Sequence, residues 1–281
     1  MKVATAEPLG PTLEEIEVKL LLEAVSLRYG YDFREYSAAP LRRSIAAGMV
    51  GEGVATISAY QDRLLHDRGS MQRFLRAVGV SVSSMFREPE TWRCLREEVI
   101  PRLRTYPSLR VWSVGCATGE EAYSLAVLFE EEGLLSRTQI FATDLIEDAL
   151  ATAGRGLYRL EELQAAEAAY LRSGGRSALA DHYTTVGRTG RFRSALQRRI
   201  TWAQHNLVTD SSFNEFQLIV CSNVLIYFRP TLEQRAHRLF FDSLARSGYL
   251  ALGLKETLVF CPESSHYQQV IAGASVFRKT R

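Results

Sequence analysis

The chain has 281 residues, with 34 Lys and Arg against 32 Asp and Glu for a formal charge of +2, and 46% hydrophobic and 23% charged residues. That composition belongs to an ordinary globular chain long enough to bury a core. It excludes disordered and fibrous classes, and so small a charge excludes the basic domain or stripe of a nucleic-acid binder.

The start, MKVATAEPLG, lacks the apolar core of a signal peptide, and no apolar stretch approaches the ~20 residues that cross a bilayer, so a cytoplasmic location without membrane insertion is predicted. From Leu13 to Val78 apolar residues recur at three- and four-residue steps: Ile16, Leu20, Ala24 and Leu27, then Leu41, Ile45 and Met49, then Ile57, Tyr60 and Leu64, then Met71, Phe74, Leu75 and Val78. This predicts an all-helical N-terminal domain over residues 1–80, with Gly30, Pro40, Gly51 and Gly53 supplying the breaks.

After Tyr106-Pro107-Ser108 the pattern changes. Leu109–Val114 reads as a strand that ends in glycine, followed by the helical face Ala122, Leu125, Ala126 and Phe129 and by a second strand, Gln139–Thr143, that leads to Asp144. That is a parallel βαβ unit with a right-handed crossover. Strands recur at Arg199–Ala203, Phe216–Cys221 and Tyr249–Gly253, and a helix starting at Pro230-Thr231 carries Leu232, Ala236, Leu239, Phe240 and Leu244. Residues 81–281 are therefore predicted to be an α/β domain built on a doubly wound, Rossmann-like sheet. Residues 158–198, polar and with Gly174-Gly175, interrupt the alternation and read as a small inserted subdomain. Cys94, Cys116, Cys221 and Cys261 form no C-x-x-C pair, so neither a zinc site nor a dithiol redox motif is expected.

In an open parallel sheet, ligands bind beyond the carboxyl ends of the strands at the switch point, here just after the first strand. The segment there is Gly115-Cys-Ala-Thr-Gly119-Glu-Glu121. A dinucleotide enzyme wants G-x-G-x-x-G, with the pyrophosphate on the helix N-terminus. Two carboxylates in the first helical turn would repel a phosphate and attract an ammonium, such as the amino group of a methionine moiety. Asp144, at the end of the second strand, can accept from both hydroxyls of a ribose, which suits an adenosyl or a dinucleotide ligand alike. The alternative is a merely structural βα turn. Asn223 and Tyr227, beyond the fourth strand, could face a transfer centre; taken alone, Tyr227 reads as a half-buried aromatic capping the next helix. His205 reads as structural.

Taken together, the segments Tyr31–Arg34, Ser83–Pro89, Trp112–Ser124, Ala142–Asp144, Gly156–Tyr158, Asn206-Leu207 and Cys221–Phe228 resemble the chemotaxis receptor methyltransferase (CheR) family, in the family's order and over most of the chain. The resemblance implies an enzyme that moves a methyl group from S-adenosylmethionine to glutamate carboxylates of a chemoreceptor or receptor-like protein, leaving S-adenosylhomocysteine. It implies catalytic roles for Arg87 and Tyr227. It implies a cofactor site of Ser81, Ser83, Arg87, Gly115, Glu121, Asp144, Asn206, Leu207, Asn223 and Val224, with Glu121 on the amino group, Asp144 on the ribose, Asn206 and Leu207 on the adenine side, and Asn223 and Val224 at the methionine end. Arg34, Arg42 and Arg43 are the implied contacts to the receptor's cytoplasmic domain, or else a solvated helix face.

No metal is implied, because a sulfonium is already activated and a carboxylate nucleophile is ionised at neutral pH. The family usually has Asn where this chain has Ser81, Thr where it has Ser83 and Arg where it has Ser222, and its G-H-S-E appears as Gly253-Leu-Lys-Glu256. Two other readings stay open: a methyltransferase of the same fold with a different substrate, and a cofactor-binding signalling module without transfer.

Overall fold

The computed structural model describes residues 10–79 and 83–281, which form two compact units, each considered by itself. Ser81, one of the expected cofactor contacts, lies outside the described residues.

The first unit is a bundle of α1 (Leu13–Tyr29), α2 (Ala38–Glu52), α3 (Ile57–His66) and α4 (Arg68–Val78). Local chemistry sets its boundaries. Thr12 and Glu15 form a reciprocal capping box, the Thr12 hydroxyl accepting the Glu15 N–H at 3.3 Å and the Glu15 carboxylate accepting the Thr12 N–H at 3.0 Å. Thr56 caps α3 and Asp67 caps α4. Phe74 sits edge-on to both Phe33 and Tyr60 at the centre of the core.

Gly30 and Gly53 end α1 and α2 with left-handed backbone, as breaks should. Pro40 and Gly51 do not break the chain. Pro40 lies in the first turn of α2, where a missing N–H costs no helical bond, and Gly51 lies in its last turn. The face of α1 also differs from expectation: Leu21, Leu22 and Val25 are buried, whereas Ile16, Leu20 and Leu27 are 42%, 54% and 80% exposed. This helix is apolar on two sides, so periodicity alone does not say which side meets the bundle.

The second unit opens with α5 (Pro89–Cys94), a π-turn at Leu95–Val99 and α6 (Ile100–Leu103). Then come β1 (Leu109–Val114), α7 (Glu120–Glu131), β2 (Thr138–Asp144), α8 (Glu147–Arg155), β3 (Leu157–Arg159), α9 (Leu160–Arg172), β4 (Tyr183–Val186), β5 (Thr189–Phe192), α10 (Ser194–Gln197), β6 (Ile200–Gln204), β7 (Phe216–Cys221), α11 (Pro230–Ser243), β8 (Leu244–Leu252), β9 (Tyr267–Gln269) and β10 (Val276–Lys279). The main sheet has the order β6-β2-β1-β7-β8-β10-β9, parallel from β6 to β8 and antiparallel beyond. β1 has β2 on one side and β7 on the other, which makes it the switch strand. Val114 pairs with Thr143 and with Cys221, and Cys221 with Leu252, so the carboxyl ends of β2, β1, β7 and β8 come level.

A second sheet, β3-β5-β4, is antiparallel and lies with α9 in the segment between β2 and β6. The short strands β9 and β10, at the antiparallel end of the sheet, have no counterpart in the sequence reading, since three and four residues are too few to show a period. Leu244, expected on the preceding helix, instead opens β8, whose pairing with β7 is irregular between Phe216 and Leu218.

Candidate functional site

The turn from β1 into α7 requires unusual backbone. Gly115 and Gly119 have φ of +65° and +96°, and a Cβ on Gly115 would stand 2.4 Å from Cγ2 of Val224. Ala117 is left-handed as well, and its N–H donates to Oδ2 of Asp144 at 2.8 Å, while Oδ1 accepts the Ile146 N–H at 2.9 Å. Asp144 thus ties the β1 turn to the β2 turn, and each oxygen keeps a lone pair for a ligand. Burial nonetheless pushes its carboxyl above the ordinary range, against these donors.

The two acids that begin α7 are enclosed without a cation. Glu121 accepts the Ser113 hydroxyl at 2.7 Å and a second hydrogen bond from Ser222. Burial dominates, and with repulsion from Glu256 and Glu88 it lifts the carboxyl to about 7. Glu120 is also raised by burial, although hydroxyls of Thr118 and Ser83 donate to it. Among the described residues no Arg or Lys pairs with either acid. A helix N-terminus favours negative charge, so the upward shifts measure how strongly these carboxylates are desolvated.

A third turn follows β7, with Asn223 at φ +62°. One buried carboxylate holds it: Oε1 of Glu256 accepts the N–H groups of Val224 and Leu225, both at 2.8 Å, and Oε2 accepts that of Gly253 at 2.8 Å. Oδ1 of Asn223 is buried without a partner, an expensive state that a ligand donor would relieve. Tyr227, half-buried, lies in the short 3-10 turn Leu225–Tyr227.

The loop before α5 is strained on both sides of Arg87, with Phe86 at φ +50° and Glu88 at φ +57°. It is pinned by the Phe86 N–H on the Ser124 hydroxyl at 3.0 Å, by Trp92 Nε1 on the Arg87 carbonyl at 2.7 Å, and by the Leu254 N–H on Oε2 of Glu88 at 2.9 Å. The Arg87 side chain is exposed.

The structure therefore gathers Ser83, Gly115, Glu121, Asp144, Asn223 and Val224 at one sheet edge, with the turns carrying Arg87 and Tyr227 tied to it. Asn206 and Leu207 follow β6, beyond β2. Oδ1 of Asn206 accepts the Val208 N–H at 2.9 Å, and Leu207 is buried. His205 stacks edge-on to Trp112, and its Nε2 meets the Ser211 carbonyl at 3.2 Å, a packing role. Sequence reasoning missed what Glu256 and Glu88 do. Both act on partners far along the chain, and only the acid in Gly253-x-x-Glu256 directly after a buried strand hinted at one of them.

In the helical unit, Arg34 is taken up by Asp32 at 2.6 Å and Glu23 at 2.8 Å, and Arg42 lies 3.6 and 3.5 Å from Glu14 and Glu15. Arg43 is exposed. These pairs are exposed and cheap to rearrange.

Two family models cover nearly all of this architecture: "CheR methyltransferase, SAM binding domain" matches residues 81–273, and "CheR methyltransferase, all-alpha domain" matches residues 16–78. The chain belongs to the CheR methyltransferase family. It is 43% identical over 266 residues, 95% of this chain and 97% of the other, to a Pseudomonas putida protein named as the methyltransferase Cher3. It is 34% identical over 235 residues, 82% and 86% of the two chains, to the chemotaxis protein methyltransferase of Listeria innocua. A third relative, chemotaxis protein methyltransferase 1 of Pseudomonas aeruginosa, is 26% identical over 246 residues, 83% and 86% of the two chains. As a CheR methyltransferase the chain uses S-adenosylmethionine, and the sheet edge just described lies within the matched cofactor-binding domain. No helix among its described residues is long and apolar enough to cross a membrane.

Proposed function

We propose that the chain esterifies glutamate side chains on the cytoplasmic domain of a methyl-accepting chemoreceptor or a related signalling protein, working in the cytoplasm and leaving S-adenosylhomocysteine. Glu121 carries the reading. A half-buried carboxylate held by hydroxyls, with its pKa lifted to about 7 by desolvation, suits an ammonium that arrives with a ligand. The unpartnered Oδ1 of Asn223 and the close approach permitted at Gly115 fit the same methionine end. Asp144 has lone pairs left for ribose hydroxyls, and Asn206 and Leu207 would bound the adenine side. Ser83, Val224 and Arg87 complete the described set.

When bound, S-adenosylmethionine supplies a sulfonium methyl whose C–S bond breaks as a carboxylate oxygen forms the new C–O bond, the electron pair staying on sulfur. The protein's part is placement. Arg87, exposed on a strained and pinned turn, would orient the incoming carboxylate, and Tyr227 would line the place where it meets the donor. No proton has to move, so no general base is needed. Residues 1–80 serve as the helical domain, with Arg34, Arg42 and Arg43 offered to an acidic receptor surface, and residues 81–281 as the catalyst with its insert at 158–198.

The test is transfer of labelled methyl from S-adenosylmethionine to receptor cytoplasmic fragments from the same cell. Label that leaves as methanol in base, and is lost in Arg87→Ala, supports the proposal. Cofactor binding with no label on any fragment overturns it, in favour of a different substrate or a binding module.

A further inference from the structure

Helix α1 buries one side, Leu21, Leu22 and Val25, in the bundle, yet its other side is apolar too. At about 100° per residue, Leu13, Ile16, Leu20 and Leu27 fall within about 60° of arc, on the side of the helix away from Leu21, Leu22 and Val25. They make one stripe along about 21 Å of the helix axis. All four are exposed, Leu13 being 73% exposed, so no described residue covers the stripe. A surface helix ordinarily gives the side facing away from its core to charged and polar residues. A second apolar stripe, continuous along the same helix, marks an interaction surface, whereas a single exposed Leu marks nothing.

We infer that this stripe pairs with the same stripe of a second copy of the chain, the two α1 helices running antiparallel about a two-fold axis at Leu20. The order of the residues selects that occupant. A two-fold contact has to be self-complementary. Leu13 and Leu27 stand seven residues before and after Leu20, so the axis sets Leu20 on Leu20 and Leu13 on Leu27 of the second copy, while Ile16 meets Ala24. The charges agree with the apolar pattern. Lys19 and Glu23 lie on one flank of the stripe, four residues apart, and nearly the same axis exchanges them, so each lysine faces the glutamate of the second copy. Lys19 is exposed, and Glu23 keeps an oxygen free after its Oε2 accepts from Arg34 at 2.8 Å. Antiparallel alignment also opposes the two helix dipoles and turns the acidic first turn, Glu14 and Glu15, towards the end that carries Arg28. A parallel pair would bring like ends together and set Lys19 towards Ala24 instead. One helix from each copy is a small contact, so the association is weak, in the micromolar range.

The experiment uses the full chain. Sedimentation velocity across the micromolar range is expected to show a monomer–dimer equilibrium. Leu20→Glu, which sets two like charges against each other at the axis, is expected to weaken the dimer at least about tenfold. Its thermal midpoint is expected to be unchanged, because Leu20 is exposed. Single cysteines read the register through a short bismaleimide. Leu20→Cys is expected to cross-link to itself, whereas Leu13→Cys and Leu27→Cys are each expected to cross-link only when the two are mixed. The native thiols Cys94, Cys116, Cys221 and Cys261 are all buried. A wild-type chain that stays monomeric throughout overturns the inference, and so does a dimer that Leu20→Glu leaves intact. Cross-linking of Leu13→Cys to itself overturns the antiparallel pairing.

Discussion

One helix, α7, carries an acidic cluster at each end, and the two are solved in opposite ways. At its start, Glu120 and Glu121 are half-buried among hydroxyls, without a cation among the described residues, and both carboxyls are pushed up by desolvation. Glu130, Glu131 and Glu132 at its end are saturated. Glu132 is paired with Arg96 at 2.9 Å, Arg104 at 2.7 Å and Arg176 at 2.7 Å, Glu131 with Arg96 at 2.6 Å, and Glu130 with Arg193 and with His182 at 2.9 Å. Burial pushes the Glu131 carboxyl upward, but hydrogen bonds from His182, Tyr170 and Arg96 outweigh it and hold the group at about 2. The helix dipole favours the first cluster and opposes the second, so the arginines supply at the C-terminal end what the backbone withholds. A filled network is a structural device that fastens the segment around Arg176 and His182 to the body of the domain. An unfilled one, of the same residue type on the same helix, is where we propose that the ligand ammonium sits.

The sharpest way to break this contrast is at the saturated end. Arg96 is almost fully enclosed, and Arg96→Met leaves Glu131 and part of Glu132 buried short of a partner. Urea denaturation is expected to show a loss of about 3–5 kcal/mol, while the folded fraction still binds S-adenosylhomocysteine with little change. A variant that keeps its stability but loses the ligand would reverse the assignment of the two ends.

The matching change at the open end is Glu121→Gln. It removes a charge that is already half neutralised near pH 7, so the unfolding midpoint should hold or rise. Affinity for S-adenosylmethionine, read by calorimetry, should fall by about 2–4 kcal/mol, since the ligand ammonium loses its half-buried counter-charge. Retained affinity would remove Glu121 from the site.

The two ends should also respond oppositely to pH. Glu131 sits below the ordinary carboxylate value of 4.5, so its stabilisation is present above that value and is lost as pH falls from 4.5 towards about 2. Glu121 sits above 4.5, so its contribution is fully present below that value and is lost as pH rises towards about 7. A bound ammonium favours the ionised form of Glu121. Ligand affinity should therefore climb as pH rises towards about 7 and level off above it, with release of about half a proton at pH 7. Calorimetry in buffers of different ionisation enthalpy checks the proton, and Glu121→Gln should abolish it.

How much of this could be read in the residues differs between the parts. Gly115, Gly119, Glu121 and Asp144 were legible because a βα turn and the next strand end are local: their relation is set by spacing within one βαβ unit. The clasp made by Glu256 and the anchor made by Glu88 were not, since each joins segments far apart in the chain and nothing in either segment alone asks for the other. The buried face of α1 was misread for the opposite reason, too much signal: Leu20 and Leu21 both fit a helical period, and only the packing of the bundle chooses Leu21. The saturated cluster was passed over as well, because Arg96, Arg176 and Arg193 lie on separate elements and each looks like an ordinary surface arginine.

The smallest expected effect concerns Ser222, which stands in the strand-end motif directly after β7. Its hydroxyl is one of two that hold Glu121, the other being that of Ser113 at 2.7 Å. Hydrogen bonds to an ionised carboxylate favour the charged form, so Ser222→Ala should raise the Glu121 pKa further and weaken the ligand at pH 7. The loss should be only a few-fold, about 1 kcal/mol, because the second hydroxyl remains and the ligand ammonium supplies the larger stabilisation. The deficit should close as pH is raised to 8.5, where Glu121 is ionised in either protein. A pH-independent loss would instead mean that Ser222 meets the ligand directly, and the open end of α7 would then be built by the β7 turn as much as by its own acids.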